Sequence, residues 1–303
     1  MYFGSVRFFK HAILIVMALV VIFSVSSCVF MGISNHHMKK VLQENGLAVT
    51  AESPSISSDS NMILDNHNSE NSTASFEYQK LYPKLAIEND FIYNNDLPKS
   101  VYLSFDDGPS SLTPQILDIL KEHNVKATFF INYSDSMESQ ALYKRMIEEG
   151  HTIGVHSTCH QYATIYQSTG AFLDDFAQTA LMLEQVTGVK PEIFRFPGGS
   201  INSYDRAVYQ QTISEMLRRG YTYYDWNVSA DDATSTVTRD QIYTNVVSGV
   251  QKYDKSIVLM HDLSNKSDTL SALPSILEDL KAKGYNFYPL TKDVKPVAYD
   301  YVD

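Results

Sequence analysis

The chain has 303 residues, 44% of them hydrophobic and 19% charged, which suits one large folded domain with extensions and excludes a chain disordered throughout. A formal net charge of -11 excludes nucleic acid as a partner, because neutralising a phosphate backbone needs clustered Lys and Arg. Of two cysteines, Cys28 lies in an N-terminal apolar run, so the remainder holds only Cys159 and no internal disulfide.

The first element is Ala12–Ile33, 22 residues without a charge, long enough to span a bilayer. Arg7 and Lys10 precede it and favour a cytoplasmic tail with an exported remainder, although Lys39 and Lys40 beyond the run weaken the asymmetry. Residues 1–33 are therefore expected to form a tail and single-pass membrane anchor. The alternatives are a cleaved signal that leaves a secreted protein, and a lipoprotein signal in which Val25-Ser26-Ser27-Cys28 places the lipid on Cys28. Against both, Val29, Phe30 and Met31 continue the apolar run past the cleavage point.

Residues 34–77 are rich in Ser, Asn and Asp, as in SPSISSDSN and DNHNSENSTAS, and read as a polar linker. From residue 78 to 303 short apolar runs alternate with amphipathic stretches. The spacing predicts strands at 101–105, 127–131, 152–155, 193–196, 222–226, 257–260 and 286–288. Between them it predicts helices at 113–123, 139–149, 172–187, 205–218, 239–253 and 270–283, several stopped by Gly150, Gly188, Gly220 and Gly284. This βαβ rhythm without a nucleotide-type Gly-rich loop predicts an α/β fold, a distorted (β/α)7-type barrel.

In such a barrel the working residues sit at the carboxyl ends of the strands. Polar residues collect there. The ends read Asp106-Asp107-Gly108-Pro109, then His156-Ser157-Thr158-Cys159-His160, then Arg195-Phe196-Pro197-Gly198-Gly199, then Asp225-Trp226, then Leu259-Met260-His261. Each alone has an ordinary explanation: a turn, a surface histidine pair, a helix cap, a core tryptophan. Their recurrence at the same end of successive strands does not. Two imidazoles and a carboxylate make a three-ligand metal site with open positions, and the set suits metal-assisted hydrolysis. Zinc is the default ion, with cobalt or another divalent ion as alternatives. Only one of the two aspartates need bind the metal, which leaves the other to act as base, and His261 can protonate a leaving nitrogen.

In order and placement these segments resemble the five motifs of the NodB-type polysaccharide deacetylases, carbohydrate esterase family 4, over about residues 101–288. The resemblance implies that Asp106 is the catalytic base, that Asp107, His156 and His160 bind the metal, and that Arg195 pairs with the base. It implies further that His261 is the catalytic acid with Asp225 as its partner. Gly198 would offer a backbone N–H to the oxyanion, and Trp226 and Leu259 would wall an acetyl-sized pocket. The third motif departs from a common form in which an aromatic residue follows the proline. Gly198-Gly199-Ser200 stands here instead, and two glycines supply no ring for substrate contact.

Asp231 and Asp232 read as loop residues facing solvent, with substrate contact as the alternative, and His151 as a turn residue. The expected substrate is an acetylated amino-sugar polymer, with peptidoglycan GlcNAc first because an anchor on the outer membrane face would put it within reach. Chitin oligomers, another poly-N-acetylglucosamine, O-acetylated xylan and a silent wall-binding module are the alternatives.

Overall fold

The computed structural model describes residues 76–234 and 236–299. The expected span Ala12–Ile33, Cys28 and the linker up to residue 75 lie outside them. Among the described residues no helix is long and apolar enough to cross a membrane.

A 3-10 turn, Glu77–Lys80, precedes eight strands: β1 (Ser100–Asp106), β2 (Thr128–Asn132), β3 (Thr152–Ser157), β4 (Ile193–Phe194), β5 (Thr222–Tyr223), β6 (Val228–Ser229), β7 (Lys255–His261) and β8 (Asn286–Phe287). The helices are α1 (Thr113–Glu122), α2 (Met137–Glu148), α3 (Tyr162–Ile165), α4 (Thr169–Thr187), α5 (Tyr209–Arg218), α6 (Arg239–Val250) and α7 (Ser267–Ala282). Local chemistry sets several of these boundaries. Ser136 and Ser168 cap α2 and α4 by accepting from the N–H groups of Ser139 and Ala171, and Thr238 with Gln241 forms a capping box on α6. Gly150, Gly188, Gly220 and Gly284 all have positive φ after their helices, the left-handed geometry that glycine adopts without Cβ strain.

All strand pairs are parallel, in the order β5-β4-β3-β2-β1-β7-β6, with β8 beside the start of β1. The sheet curls but does not close. Among the described residues no pairing joins β5 to β6, so the expected seven-stranded barrel is instead an open, eight-stranded half-barrel. The expected strand 222–226 is shortened to β5, and the chain then crosses to the other edge of the sheet, where β6 adds a strand that the pattern did not show. Asn227 explains the break. Its side-chain amide donates to the Lys255 carbonyl, its Oδ1 accepts from the Ile257 N–H and its own N–H donates to the Ile257 carbonyl, so side chain and backbone together dock the chain on β7.

The C-terminal segment lies along the open seam. The Asp225 N–H donates to the Val297 carbonyl at 2.9 Å, and the Tyr224 hydroxyl reaches the carbonyls of Thr291 and Val294 at 2.6 and 2.5 Å.

Strand alternation sorts the core into two. Val101, Leu103 and Phe105 of β1, Phe129 and Ile131 of β2, Val155 of β3 and Val258 and Met260 of β7 pack against the helices. Tyr102, Phe130, Ile193, Tyr224, Ile257 and Leu290 form a separate inner cluster. Gly154 is required there, because a Cβ would lie 2.7 Å from the Phe130 ring. Burying each large apolar side chain contributes about 1.5–3 kcal/mol. Toward the carboxyl ends the inner face turns polar, and the next inward residues are Ser104, Asp106, His156 and His261.

Candidate active site

Two consecutive carboxylates at the end of β1 should point to opposite faces. They do not, because Asp107 leaves the strand with φ 74°, a left-handed conformation that costs a non-glycine residue on the order of 1 kcal/mol or more. His156 Nε2 therefore lies 3.9 Å from Asp106 Oδ2 and 3.6 Å from Asp107 Oδ1. His160, also at positive φ (50°), brings its Nε2 to 3.2 Å from the same Asp107 oxygen. One donor atom from each of Asp107, His156 and His160 lies within 4.8 Å of the others.

These three groups fit a divalent cation. His156 Nδ1 lies 2.9 Å from the Arg195 carbonyl, which can only accept, so Nδ1 carries the proton and Nε2 offers its lone pair to the cluster. Burial opposes charge on Asp107, but His156, His160, His261 and a hydrogen bond from Asn132 outweigh it and hold the carboxyl below its usual range. Burial and then the neighbouring His156 push His160 below the usual imidazole value. An ionised carboxylate and neutral imidazoles are the states a cation requires.

The loop between the two histidines is tied to α4. Asp175 accepts from Ser157 Oγ at 2.7 Å, from the Thr158 N–H at 2.9 Å and from the Cys159 N–H at 2.8 Å. Asp262 does the same for the turn after β1, accepting from Ser110 Oγ and Thr113 Oγ1 at 2.6 and 2.5 Å. A Cβ on Gly108 would sit 2.4 Å from Asp262 Oδ2, so only glycine fits the turn. Neither aspartate stands out in the sequence as a functional residue, because each acts by bracing a neighbouring turn, Asp175 chiefly through backbone N–H groups and Asp262 through two hydroxyls.

Arg195 is fully buried. Its Nη1 donates to Asp106 Oδ1 and Ser104 Oγ, both at 2.8 Å, and its Nε to the Tyr224 carbonyl at 2.8 Å. The guanidinium lies 4.3 Å from the centre of the Phe130 ring. Such a pair holds Asp106 oriented, and removing one partner from a buried pair costs about 3–5 kcal/mol.

His261 faces a different carboxylate from the expected one. Its Nδ1 pairs with Asp232 Oδ1 at 2.8 Å, and its backbone N–H donates to Asp232 Oδ2 at 3.0 Å. Thr269 Oγ1 donates to the same carboxylate at 2.7 Å. Asp232, expected to face solvent, is buried at 2% exposure. Asp225 is occupied elsewhere: it accepts from the Ser200 N–H and the Tyr299 N–H, each at 2.8 Å, and from Ser200 Oγ at 2.5 Å. Burial leads the effects that raise the Asp225 pKa. The expected Asp225–His261 partnership is thus replaced by Asp232–His261, because Asp232 follows β6, which lies against the β7 strand that carries His261. Burial disfavours the His261 imidazolium, but the Asp232 hydrogen bond and the charge of Asp106 more than offset it and raise the pKa.

Leu259 is buried on the inner face of β7, two residues before His261. Trp226 packs beside the inner cluster, edge-on to the Tyr299 ring at 5.3 Å. Gly198 has φ 79° in the turn after Arg195. The structure thus gathers Asp106, Asp107, His156, His160 and Arg195, sets His261 beside Asp106 across the β1–β7 register, and gives Asp225 a structural set of partners.

Comparison with known proteins agrees with this chemistry. A family model described as polysaccharide deacetylase matches residues 93–217, which include Asp106, Asp107, His156, His160 and Arg195. The chain is 34% identical over 221 residues to YheN of Bacillus subtilis (strain 168), covering 71% of this chain and 75% of that one. It is 32% identical over 200 residues to a peptidoglycan-N-acetylglucosamine deacetylase of Bacillus cereus, covering 64% of this chain and 70% of that one. The crystal structure of the catalytic domain of peptidoglycan N-acetylglucosamine deacetylase from Eubacterium rectale matches with a TM-score of 0.65 and 38% identity, over 70% of this chain and 97% of that one. Motifs, curled parallel sheet and relatives agree: the chain is an enzyme of the polysaccharide deacetylase family, carbohydrate esterase family 4.

Proposed function

We propose that this enzyme removes N-acetyl groups from the GlcNAc residues of peptidoglycan, working outside a membrane to which residues 1–33 anchor it. The observation that carries the reaction is a pair of buttressed titratable groups beside the donor triad, Asp106 on Arg195 and His261 on Asp232. Hydrolysis needs one group to take a proton and another to give one. A divalent cation, zinc as the first choice, would be held by Asp107, His156 and His160 and would polarise the acetyl carbonyl and acidify water.

The side chains account for the rest. Asp106, held in place by Arg195, accepts a proton from water as the water oxygen bonds to the acetyl carbon. The Gly198 N–H stabilises the negative charge that develops on the former carbonyl oxygen. His261 gives a proton to the sugar nitrogen as the carbon–nitrogen bond breaks, and Asp232 stabilises the imidazolium beforehand. Acetate and a free amine leave. Trp226 and Leu259 supply the apolar wall against which the methyl group rests.

The polymer follows from the relatives named above and from an exported location. Chitin oligomers and another poly-N-acetylglucosamine would use the same chemistry, and O-acetylated xylan would change only the leaving group. The test is acetate release by the full-length, metal-loaded chain from peptidoglycan, N-acetylglucosamine oligomers and acetylated xylan. Peptidoglycan is expected to yield equal amounts of acetate and new amine. A preference for xylan would overturn the substrate, and no acetate from any of the three would overturn the reaction.

A further inference from the structure

The glycines after Pro197 carry no ring of their own, yet the space beside them is filled. A Cβ built on Gly198 would lie 3.0 Å from the Tyr162 hydroxyl and 3.1 Å from two carbons of its ring, closer than such atoms comfortably approach. Tyr162 comes from another part of the chain, the first residue of α3, two positions after the metal donor His160. Gly198 therefore does two things. It adopts the positive φ of the turn, and by having no side chain it lets a tyrosine from α3 lie against it.

The Tyr162 ring continues outward from the donor triad. The His156 and His160 rings are 5.2 Å apart, His160 and Tyr162 are 5.5 Å apart, and Tyr162 meets Tyr204 at 5.5 Å with the planes 78° apart. Tyr162 is half-buried, whereas Tyr204 is 56% exposed. Its loop is held in shape: the Tyr204 N–H donates to Asn202 Oδ1 at 2.9 Å, and the Asn202 N–H to Asp205 Oδ1 at 3.1 Å. Among the described residues the hydroxyl of Tyr162 has no hydrogen-bond partner. An exposed ring on a braced loop, joined edge-on to a second ring with a free hydroxyl, leaves an aromatic face and a polar group open to a ligand on the donor-triad side.

One ligand class matches this surface. A pyranose has an apolar C–H face that stacks on an aromatic ring and a rim of hydroxyls for a phenol to bond, and a glycan places such a ring next to the one being deacetylated. We propose that Tyr162 and Tyr204 form a stacking subsite for a neighbouring sugar of the substrate chain, and that the enzyme favours polymers over short sugars through it. The inference rests on the deacetylase reading above.

The probes are the dimer and hexamer of N-acetylglucosamine with the full-length, metal-loaded chain. The ratio of kcat/KM on hexamer to that on dimer should fall about fivefold to tenfold in Tyr204→Ala and in Tyr162→Ala, chiefly through KM. Tyr204→Phe should restore most of it, since the ring survives. Hexamer binding to an Asp106→Asn chain should weaken by a similar factor when Tyr204→Ala is added. Tyr253→Ala, an exposed tyrosine on another surface, should leave the ratio alone. Equal loss on both oligomers, or none, would overturn the subsite while leaving the deacetylase reading intact. A wild-type chain that binds hexamer in a Tyr204-dependent way but frees no acetate would instead overturn the reaction.

Discussion

At the scale of single residues, Asp225 and Asp232 make contrasting predictions. Asp232 raises the His261 pKa, and a general acid works only while protonated. Activity should therefore persist to higher pH than an ordinary histidine allows and fall as pH rises through the raised value. Asp232→Asn removes the main raising influence, so the alkaline limb of the kcat profile should move to lower pH, with kcat down about 10- to 100-fold at neutral pH. Asp225→Asn should lower the melting temperature, because Ser200 and Tyr299 lose a charged acceptor, and leave the position of that limb unchanged. A shifted limb in Asp225→Asn and none in Asp232→Asn would reverse the assignment. The resemblance points to Asp225 as the partner of His261, whereas Asp232 follows β6, a two-residue strand with no periodicity to read.

His151 is legible as a non-ligand for a simpler reason. It follows the helix-ending Gly150, and its Nδ1 accepts the Ala127 N–H at 3.0 Å. Accepting there keeps the ring neutral. Burial, then the charge of Lys126, pushes its pKa from 6.5 to about 4. The unfolded chain takes up a proton near the ordinary value and the folded chain does not. This contribution to stability is present above about pH 6.5 and is lost as pH falls toward 4, roughly 3 kcal/mol over that window. Denaturant titrations of wild type and His151→Gln at pH 7 and pH 5 should show a smaller drop in the variant. An equal drop in both would remove His151 from the account.

At the scale of elements, each strand and helix expected from the pattern has a counterpart in the structure, including the two-residue β4, β5 and β8, and β6 is the strand that the pattern does not show. β1, β2, β3 and β7 and six helices fall close to the expected spans, since each buries a continuous apolar face with clear stops. The short helix α3 and the split between β5 and β6 escaped. α3 is four residues long, and the split depends on Asn227 meeting β7, a contact between distant segments that no local pattern encodes. Asn227→Ala leaves the Ile257 N–H and the Lys255 carbonyl without partners at the seam, a cost of about 1–3 kcal/mol. Thermal unfolding should register it as a fall of several degrees. A melting temperature within one degree of wild type, by about the precision of the method, would mean that the C-terminal segment closes the seam unaided.

At the scale of the whole molecule, the open half-barrel explains why five separated motifs act as one site. Parallel strands deliver their carboxyl ends to one side, and alternation turns Asp106, His156 and His261 inward while leucines and valines face the helices. That much was visible as polar strand ends in a βαβ rhythm. The closure was not, because whether a curled sheet meets its own edge depends on where β5 and β6 lie relative to each other, a relation between distant edges that no local pattern encodes. The net charge of -11 and the proposed anchor bear on location and leave the chemistry untouched. That chemistry is tested most directly by acetate release from an N-acetylglucosamine oligomer by wild type and Asp106→Asn, with bound metal measured in both. Asp106→Asn is predicted to keep the metal, since Asp107, His156 and His160 hold it, and to lose about 100- to 10,000-fold in kcat. Undiminished turnover in Asp106→Asn would contradict the account.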